Sequence, residues 1–213
     1  SVYSKHPTTK VLMAAYAFNQ GAVHQWDAHG GEPIPKILLE ALIDRDVQKW
    51  AWNAAFEMQM TNQLIAAVEV RQWRCTMVQA MHCSLPGKLE KAGPCVGLPM
   101  DMQKDRRGKA LMRKFSIPRK PTIKNPRLFT EPEDAPQEYL DYLEYNRNDV
   151  IAERGIRNRL MPYIMSSEEW ELWFLDQEIN NAGLPINLRM VRNAIRIYEH
   201  ALNAGLEEMR EIS

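Results

Sequence analysis

Val47-Gln-Lys-Trp-Ala-Trp-Asn-Ala-Ala-Phe-Glu-Met-Gln59 carries an apolar run into an amide and a carboxylate. Val47, Trp50, Ala51 and Trp52 have the make-up of a short buried strand, and Asn53 is a residue that favours a helix start. The stretch therefore reads as a strand that turns into a helix near Asn53. On such a helix Asn53 and Glu57 stand one turn apart and point the same way. Tyr145 and Asp149 repeat that spacing in the most strongly helical part of the C-terminal half. Two acids brought from separate helices make half of a metal site, because hard cations take carboxylate oxygens.

Ahead of this stretch, Val11 to Phe18 and Ala22 to Trp26 are apolar runs joined by Asn-Gln-Gly, the pattern of a β-hairpin. Gly30, Gly31 and Pro33 interrupt the chain, and Pro35 to Ile43 has the spacing of an amphipathic helix through Ile37, Leu38, Ala41 and Leu42. The order strand, strand, helix, strand, helix predicts a mixed α/β domain. Beyond Glu57 the helix is expected to reach about Ala67. Trp73 to Met81 is too short for periodicity to separate a strand from a buried helix. Lys88 to Ala92 forms at most a small helix among prolines and glycines.

Length and composition set the bounds. With 213 residues and 45% hydrophobic content, the chain can bury the core of one domain and part of another. Lys plus Arg and Asp plus Glu stand at 27 each, so net charge excludes no partner and only local clustering is informative. The three cysteines, Cys75, Cys83 and Cys95, lack Cys-x-x-Cys spacing, which fits reduced thiols and argues against a disulfide framework or a zinc site. No signal peptide is recognisable and no apolar run is long enough to cross a bilayer. The expectation is a soluble chain of a cytoplasm, without a membrane partner.

Gln103 to Lys124 has a different character. Lys104, Arg106, Arg107, Lys109, Arg113, Lys114, Arg119, Lys120 and Lys124 face a single acid, Asp105, with Leu111, Met112, Phe115 and Ile117 between them. A solvated loop is one reading; such density in a neutral chain also suits a segment that contacts phosphates. A long helix follows from Asp134, with Pro136 in its first turn and a stripe of Leu140, Leu143, Val150, Ile151 and Ile156, ending near Pro162. Ser166 with Glu169 forms a capping box that opens the next helix, Gly183 stops it, and Asn187 caps a last one. A boundary near Tyr163 to Ser167 gives units 1–165 and 166–213.

Taken together, these segments resemble a known family. Trp52-Asn-Ala-Ala-Phe-Glu57 and Tyr145-Asn-Arg-Asn-Asp149 look like the second and third exonuclease motifs of the proofreading 3′–5′ exonuclease domain of phage-type family-A DNA polymerases. Trp73 to Val78, Leu85 to Leu89 and Gly108 to Ser116 also resemble segments of that family. Trp170 to Asn187 is similar to its lead into the polymerase domain. The resemblance implies a ribonuclease-H-like α/β fold over residues 1–165 and the start of a polymerase domain over 166–213.

It also implies roles. Glu57 and Asp149 would bind magnesium or manganese, two ions in the complete site, roughly 4 Å apart. Tyr145 would orient the attacking water and Asn53 would contact the substrate strand. Lys104, Arg106, Arg107, Lys109, Arg113 and Lys114 would hold its phosphates. The implied partners are a single-stranded DNA 3′ end, primer-template DNA and the remainder of a polymerase chain; the implied place is the cytoplasm of a bacterial host. One feature of the family is missing: no Asp-x-Glu precedes Asn53, and Asp27 is the nearest substitute. The expectation is an internal piece that starts just after its opening strand and is inactive by itself. Two alternatives stand beside it, a stand-alone exonuclease on RNA or single-stranded DNA and a catalytically dead nucleic-acid-binding module.

Overall fold

The computed structural model describes residues 2–99, 108–122 and 126–212. Lys104, Arg106, Arg107 and Lys124 lie outside the described residues. The chain divides into two compact units, 1–174 and 175–213.

The first unit opens with a short helix, α1 (Val2–Lys5), and a hairpin of β1 (Ala14–Ala17) and β2 (Val23–Trp26), paired antiparallel with Ala14 opposite Trp26 and Ala17 opposite Val23. Its turn closes where the Gly21 amide donates to the Phe18 carbonyl at 2.9 Å, and Asn19 supplies the left-handed residue. Helix α2 (Lys36–Ile43) then buries Leu42. Next come β3 (Lys49–Ala51), helix α3 (Ala54–Leu64), β4 (Trp73–Cys75) and helix α4 (Thr76–His82). Strands β3 and β4 run parallel with Lys49 opposite Trp73 and Ala51 opposite Cys75. Parallel strands require a crossover, and α3 supplies it.

Several expectations resolve here. The predicted α/β class and the hairpin are present, in the form of two separate two-stranded sheets among the described residues. Trp73 to Met81 is both strand and helix, changing at Thr76. Helix α3 stops at Leu64, short of Ala67, and Asn62 fixes the exit: its Oδ1 accepts from the Val68 amide at 2.8 Å and its Nδ2 donates to the Val68 carbonyl at 3.2 Å.

Helices α5 (Leu89–Cys95) and α6 (Gly108–Ser116) precede the long α7 (Pro136–Leu160). At 25 residues α7 is about 37 Å long, enough to cross the whole unit. Its buried face keeps only Ile156 of the predicted stripe, with Leu143, Val150 and Ile151 half-buried. Leu140 is 57% exposed, whereas Tyr139, Ala152, Glu153, Gly155, Ile156 and Leu160 are buried. The inward face mixes aromatic, small and acidic residues, so apolar periodicity does not reveal it.

Two cores flank α7 and the parallel pair. One gathers Met58, Trp73, Cys75, Trp170, Trp173 and Phe174; the other gathers Ala80, Leu89, Leu98, Ala152, Ile156 and Leu160. Trp50 and Trp170 meet edge to face at 6.1 Å. The tryptophans are core anchors, and Cys75 is buried with them. Helix α8 (Ser167–Ala182) begins with the expected capping box: the Glu169 amide donates to Ser166 Oγ at 3.2 Å and the Ser166 amide to Glu169 Oε2 at 2.9 Å. Gly183 ends α8 in the left-handed region at φ +69°. In the second unit Asn187 Oδ1 accepts from the Met190 amide at 3.1 Å and starts α9 (Leu188–Ile212). Among the described residues no helix is long and apolar enough to cross a membrane.

Candidate functional site

Carboxyl ends of parallel strands are where open α/β folds place ligands, because the helices that follow leave their first turns unpaired there. Glu57 lies in the first turn of α3, just past the end of β3, and Thr76 begins α4 at the end of β4. Helix α7 reaches this edge: the Arg157 guanidinium sits 5.2 Å from the centre of the Trp50 ring on β3. Tyr145, Asp149 and Glu153 stand at successive turns of α7, each about 6 Å further along the axis.

The structure brings Asp149 and Glu153 within electrostatic reach of Glu57. Burial, then the charges of Glu153 and Asp149, push the Glu57 carboxyl from 4.5 up to about 8, against a backbone N–H that favours its ionised form. Glu57 Oε2 is closed off from solvent with no hydrogen-bond partner among the described residues, and Asp149 Oδ1 is also closed off. Glu153 is 8% exposed. Its Oε1 accepts a short hydrogen bond from Thr76 Oγ1. Burial raises its carboxyl pKa, while the Thr76 hydroxyl and the charges of Arg157 and Arg154 work the other way.

Asn53 differs from its expected geometry. It precedes α3 in the left-handed region at φ 63°, its side chain makes no capping bond, and it is exposed. A residue in that conformation does not share a helical face with Glu57. The turn accounts for the choice of Asn, which tolerates positive φ better than other residues with a β-carbon.

Tyr145 is half-buried and packs on the start of α6. A Cβ built on Gly108 would lie 1.8 Å from Tyr145 Cε2, so the ring rests on the glycine itself. Tyr142 stacks beside it at 6.3 Å, and Phe115 stacks on Tyr142 at 5.7 Å. Within the described part of the basic segment, Lys109 and Arg113 are exposed on α6, Lys114 pairs with Glu138, and Arg119 pairs with Asp134 at 3.1 Å. Asp27 is held elsewhere: it accepts from the Tyr139 hydroxyl at 2.5 Å. Tyr139 is ten residues before Asp149, about 15 Å along α7, which separates Asp27 from the acidic group.

Carboxylates suit a hard divalent cation, and the orphaned Glu57 oxygen is the kind of atom such an ion satisfies. Among the described residues, however, no three His, Cys, Asp or Glu side chains converge closely enough to hold one. Glu57 and Asp149 fit as contributors and not as a complete cage. Sequence reasoning missed Glu153 and Thr76. The signal for Glu153 was the continued spacing 145, 149, 153; for Thr76 there was none, since its role depends on a contact between distant segments.

The fold and this edge define an α/β unit with carboxylates gathered at the carboxyl ends of two parallel strands. Over most of its length the chain is related to a phage DNA polymerase: that of Bacillus phage SP02 is 38% identical over 206 residues, which are 96% of this chain and 31% of that protein. The chain thus spans about a third of the curated relative it matches. No family profile matches it, and no solved structure matches it either.

Proposed function

We propose that residues 1–165 are a 3′–5′ exonuclease-like domain of ribonuclease-H-like type within a DNA polymerase, and that 166–213 begin its polymerase domain. The observation that supports this most is that Asp149 of α7 comes near enough to Glu57, just past the carboxyl end of β3, for its charge to help raise the Glu57 carboxyl. The relation to the phage polymerase adds to it. The substrate is the 3′ end of single-stranded DNA frayed from primer-template, and the reaction is hydrolysis of the terminal phosphodiester.

Magnesium or manganese ions, when bound, supply Lewis-acid charge to the scissile phosphate. Glu57 and Asp149 offer oxygens to them, and further ligands are needed for two ions. The Tyr145 hydroxyl orients the attacking water by one hydrogen bond, its ring fixed by Gly108 and Tyr142. Asn53 is exposed at the mouth of the turn, where it can contact the strand. Lys104, Arg106, Arg107, Lys109, Arg113 and Lys114 track its phosphates, with Lys114 giving up its pairing to Glu138.

The test is magnesium-dependent cleavage of 3′-labelled single-stranded DNA, measured for residues 1–213 and for a chain carrying an Asp-x-Glu strand ahead of them. Cleavage is expected to be negligible in the first and clear in the second. In the second, Glu57→Ala and Asp149→Ala should each lower the rate by orders of magnitude with strand binding kept, and Tyr145→Phe should cost less. Full activity in Asp149→Ala would overturn the assignment.

A further inference from the structure

Glu153 and Thr76 lie outside the roles assigned above, and their arrangement is unusual. Thr76 is 0% and Glu153 8% exposed. Burying a carboxylate is costly unless a partner compensates, and a surface position one turn away would have avoided that cost. The partner comes from 77 positions earlier in the chain, at the junction where β4 becomes α4.

This bond therefore joins the carboxyl end of the parallel pair to α7 at one angular position. A helix is rigid over one or two turns, so whatever fixes the rotation of α7 at Glu153 also fixes the direction of Asp149 and Tyr145. On the same side, Gln79 Nε2 donates to the Leu160 carbonyl at 3.2 Å and Arg157 lies over Trp50, near the end of α7; hydrogen bonds from the hairpin lie on a different flank. Gln25 Nε2 donates to Asn146 Oδ1 at 3.1 Å and Arg154 to the Gly21 carbonyl at 2.5 Å, both from the hairpin. The Thr76 bond ties α7 instead to the end of β4, whose parallel partner β3 leads into α3 and Glu57.

We infer that Glu153 is a positioning residue: by accepting the Thr76 hydroxyl it sets the rotation of α7 that turns Asp149 toward Glu57 and seats the Tyr145 ring on Gly108. The inference rests on the nuclease reading for its catalytic consequence, not for its geometry. Only an acceptor oxygen at 153 and a hydroxyl at 76 are required. Glu153→Gln and Thr76→Ser keep the bond; Glu153→Leu and Thr76→Val break it.

The geometry is tested without activity. The Gly108 α-protons lie against the Tyr145 ring, so their NMR shifts report how the ring is seated. In residues 1–213, Thr76→Val and Glu153→Leu should move these shifts toward ordinary glycine values, while Glu153→Gln and Thr76→Ser leave them near the parent. A bond that matters only for stability would lower the melting temperature without moving them, and that result would overturn the inference. Should Thr76→Val fail to fold, the comparison of Glu153→Gln and Thr76→Ser with the parent still decides: a moved shift in both would overturn it.

On the chain carrying the Asp-x-Glu strand, Thr76→Val should lower kcat roughly 10- to 100-fold with little change in KM, the scale of a small misplacement of reacting groups. Thr76→Ser should restore it. If Glu153→Gln loses as much activity as Glu153→Leu, the charge matters more than the hydrogen bond and the positioning role is wrong. If the parent neither cleaves DNA nor binds manganese, the nuclease reading fails, and the Gly108 shifts still decide the role of Glu153.

Discussion

Burial first, then two neighbouring carboxylates, push the Glu57 carboxyl up to about 8, which favours its protonated form at neutral pH. In the unfolded chain it ionises near 4.5 and in the folded chain near 8, so between these values the folded state binds the extra proton. The stabilising contribution is complete below the lower value and is lost as pH rises through the upper one, at no more than about 1.4 kcal/mol per pH unit. Glu153 adds a slope of the same sign. Urea unfolding from about pH 5 to about pH 8 should show stability falling, and Glu57→Gln should flatten part of that fall. An unchanged slope in the variant would place its source at other groups. If magnesium binds Glu57 as proposed, adding it should act in the opposite sense, because a cation on the ionised carboxyl displaces the proton.

Among the elements, α7 decides how the unit is assembled. Its inward face is set by Tyr139, Ala152, Glu153, Ile156 and Leu160, of which only Ile156 belongs to the predicted aliphatic stripe. Ile156 is 0% exposed, so Ile156→Ala leaves a cavity and should cost about 2–5 kcal/mol. Leu140 is 57% exposed, and Leu140→Ala should stay within about 0.5 kcal/mol. Denaturant melts of the two variants check the assignment directly; equal losses would put Leu140 on the inward face as well. At α8, Ser166→Ala removes the oxygen that accepts the Glu169 amide and should lower stability by about 1 kcal/mol in the same melts.

At the scale of the whole molecule, the first unit runs through Phe174 because Trp170, Trp173 and Phe174 belong to the core built on Met58 and Trp73. Arg74 lies 5.1 Å from the centre of the Trp170 ring and Arg71 pairs with Glu171, which ties the start of α8 to the approach to β4. A chain ending at residue 165 should lose cooperative melting, whereas one ending at residue 182 should keep it; calorimetry separates the two. The basic segment carries the other prediction at this scale. If it tracks a single strand, neutralising Arg106, Arg107 and Lys109 should reduce the slope of log affinity against log salt by about 2. An unchanged slope would return the segment to a solvated loop.

Local chemistry made much of this chain legible in one dimension. The hairpin around Gly21, the strand-to-helix turn at Asn53, the Ser166 and Glu169 capping box and the caps at Gly183 and Asn187 each depend on residues within a few positions of one another, so their signals survive without a partner. Glu57 and Asp149 were legible as a pair of motifs. Their environment was not, because a raised pKa depends on burial and on charges that arrive from another segment. The inward face of α7 was hidden for a related reason: it carries Asp149 and Glu153, and polar residues break the apolar period that marks a buried helix. Asn53 shows the reverse case, where a good capping residue was used instead for its tolerance of positive φ. Most strands, helices and turns follow from local chemistry, while the split of Trp73 to Met81 into strand and helix and the helix at Gly108–Ser116 do not. Which face of α7 turns inward, and that Thr76 meets Glu153, follow instead from contacts between parts of the chain that lie far apart in sequence.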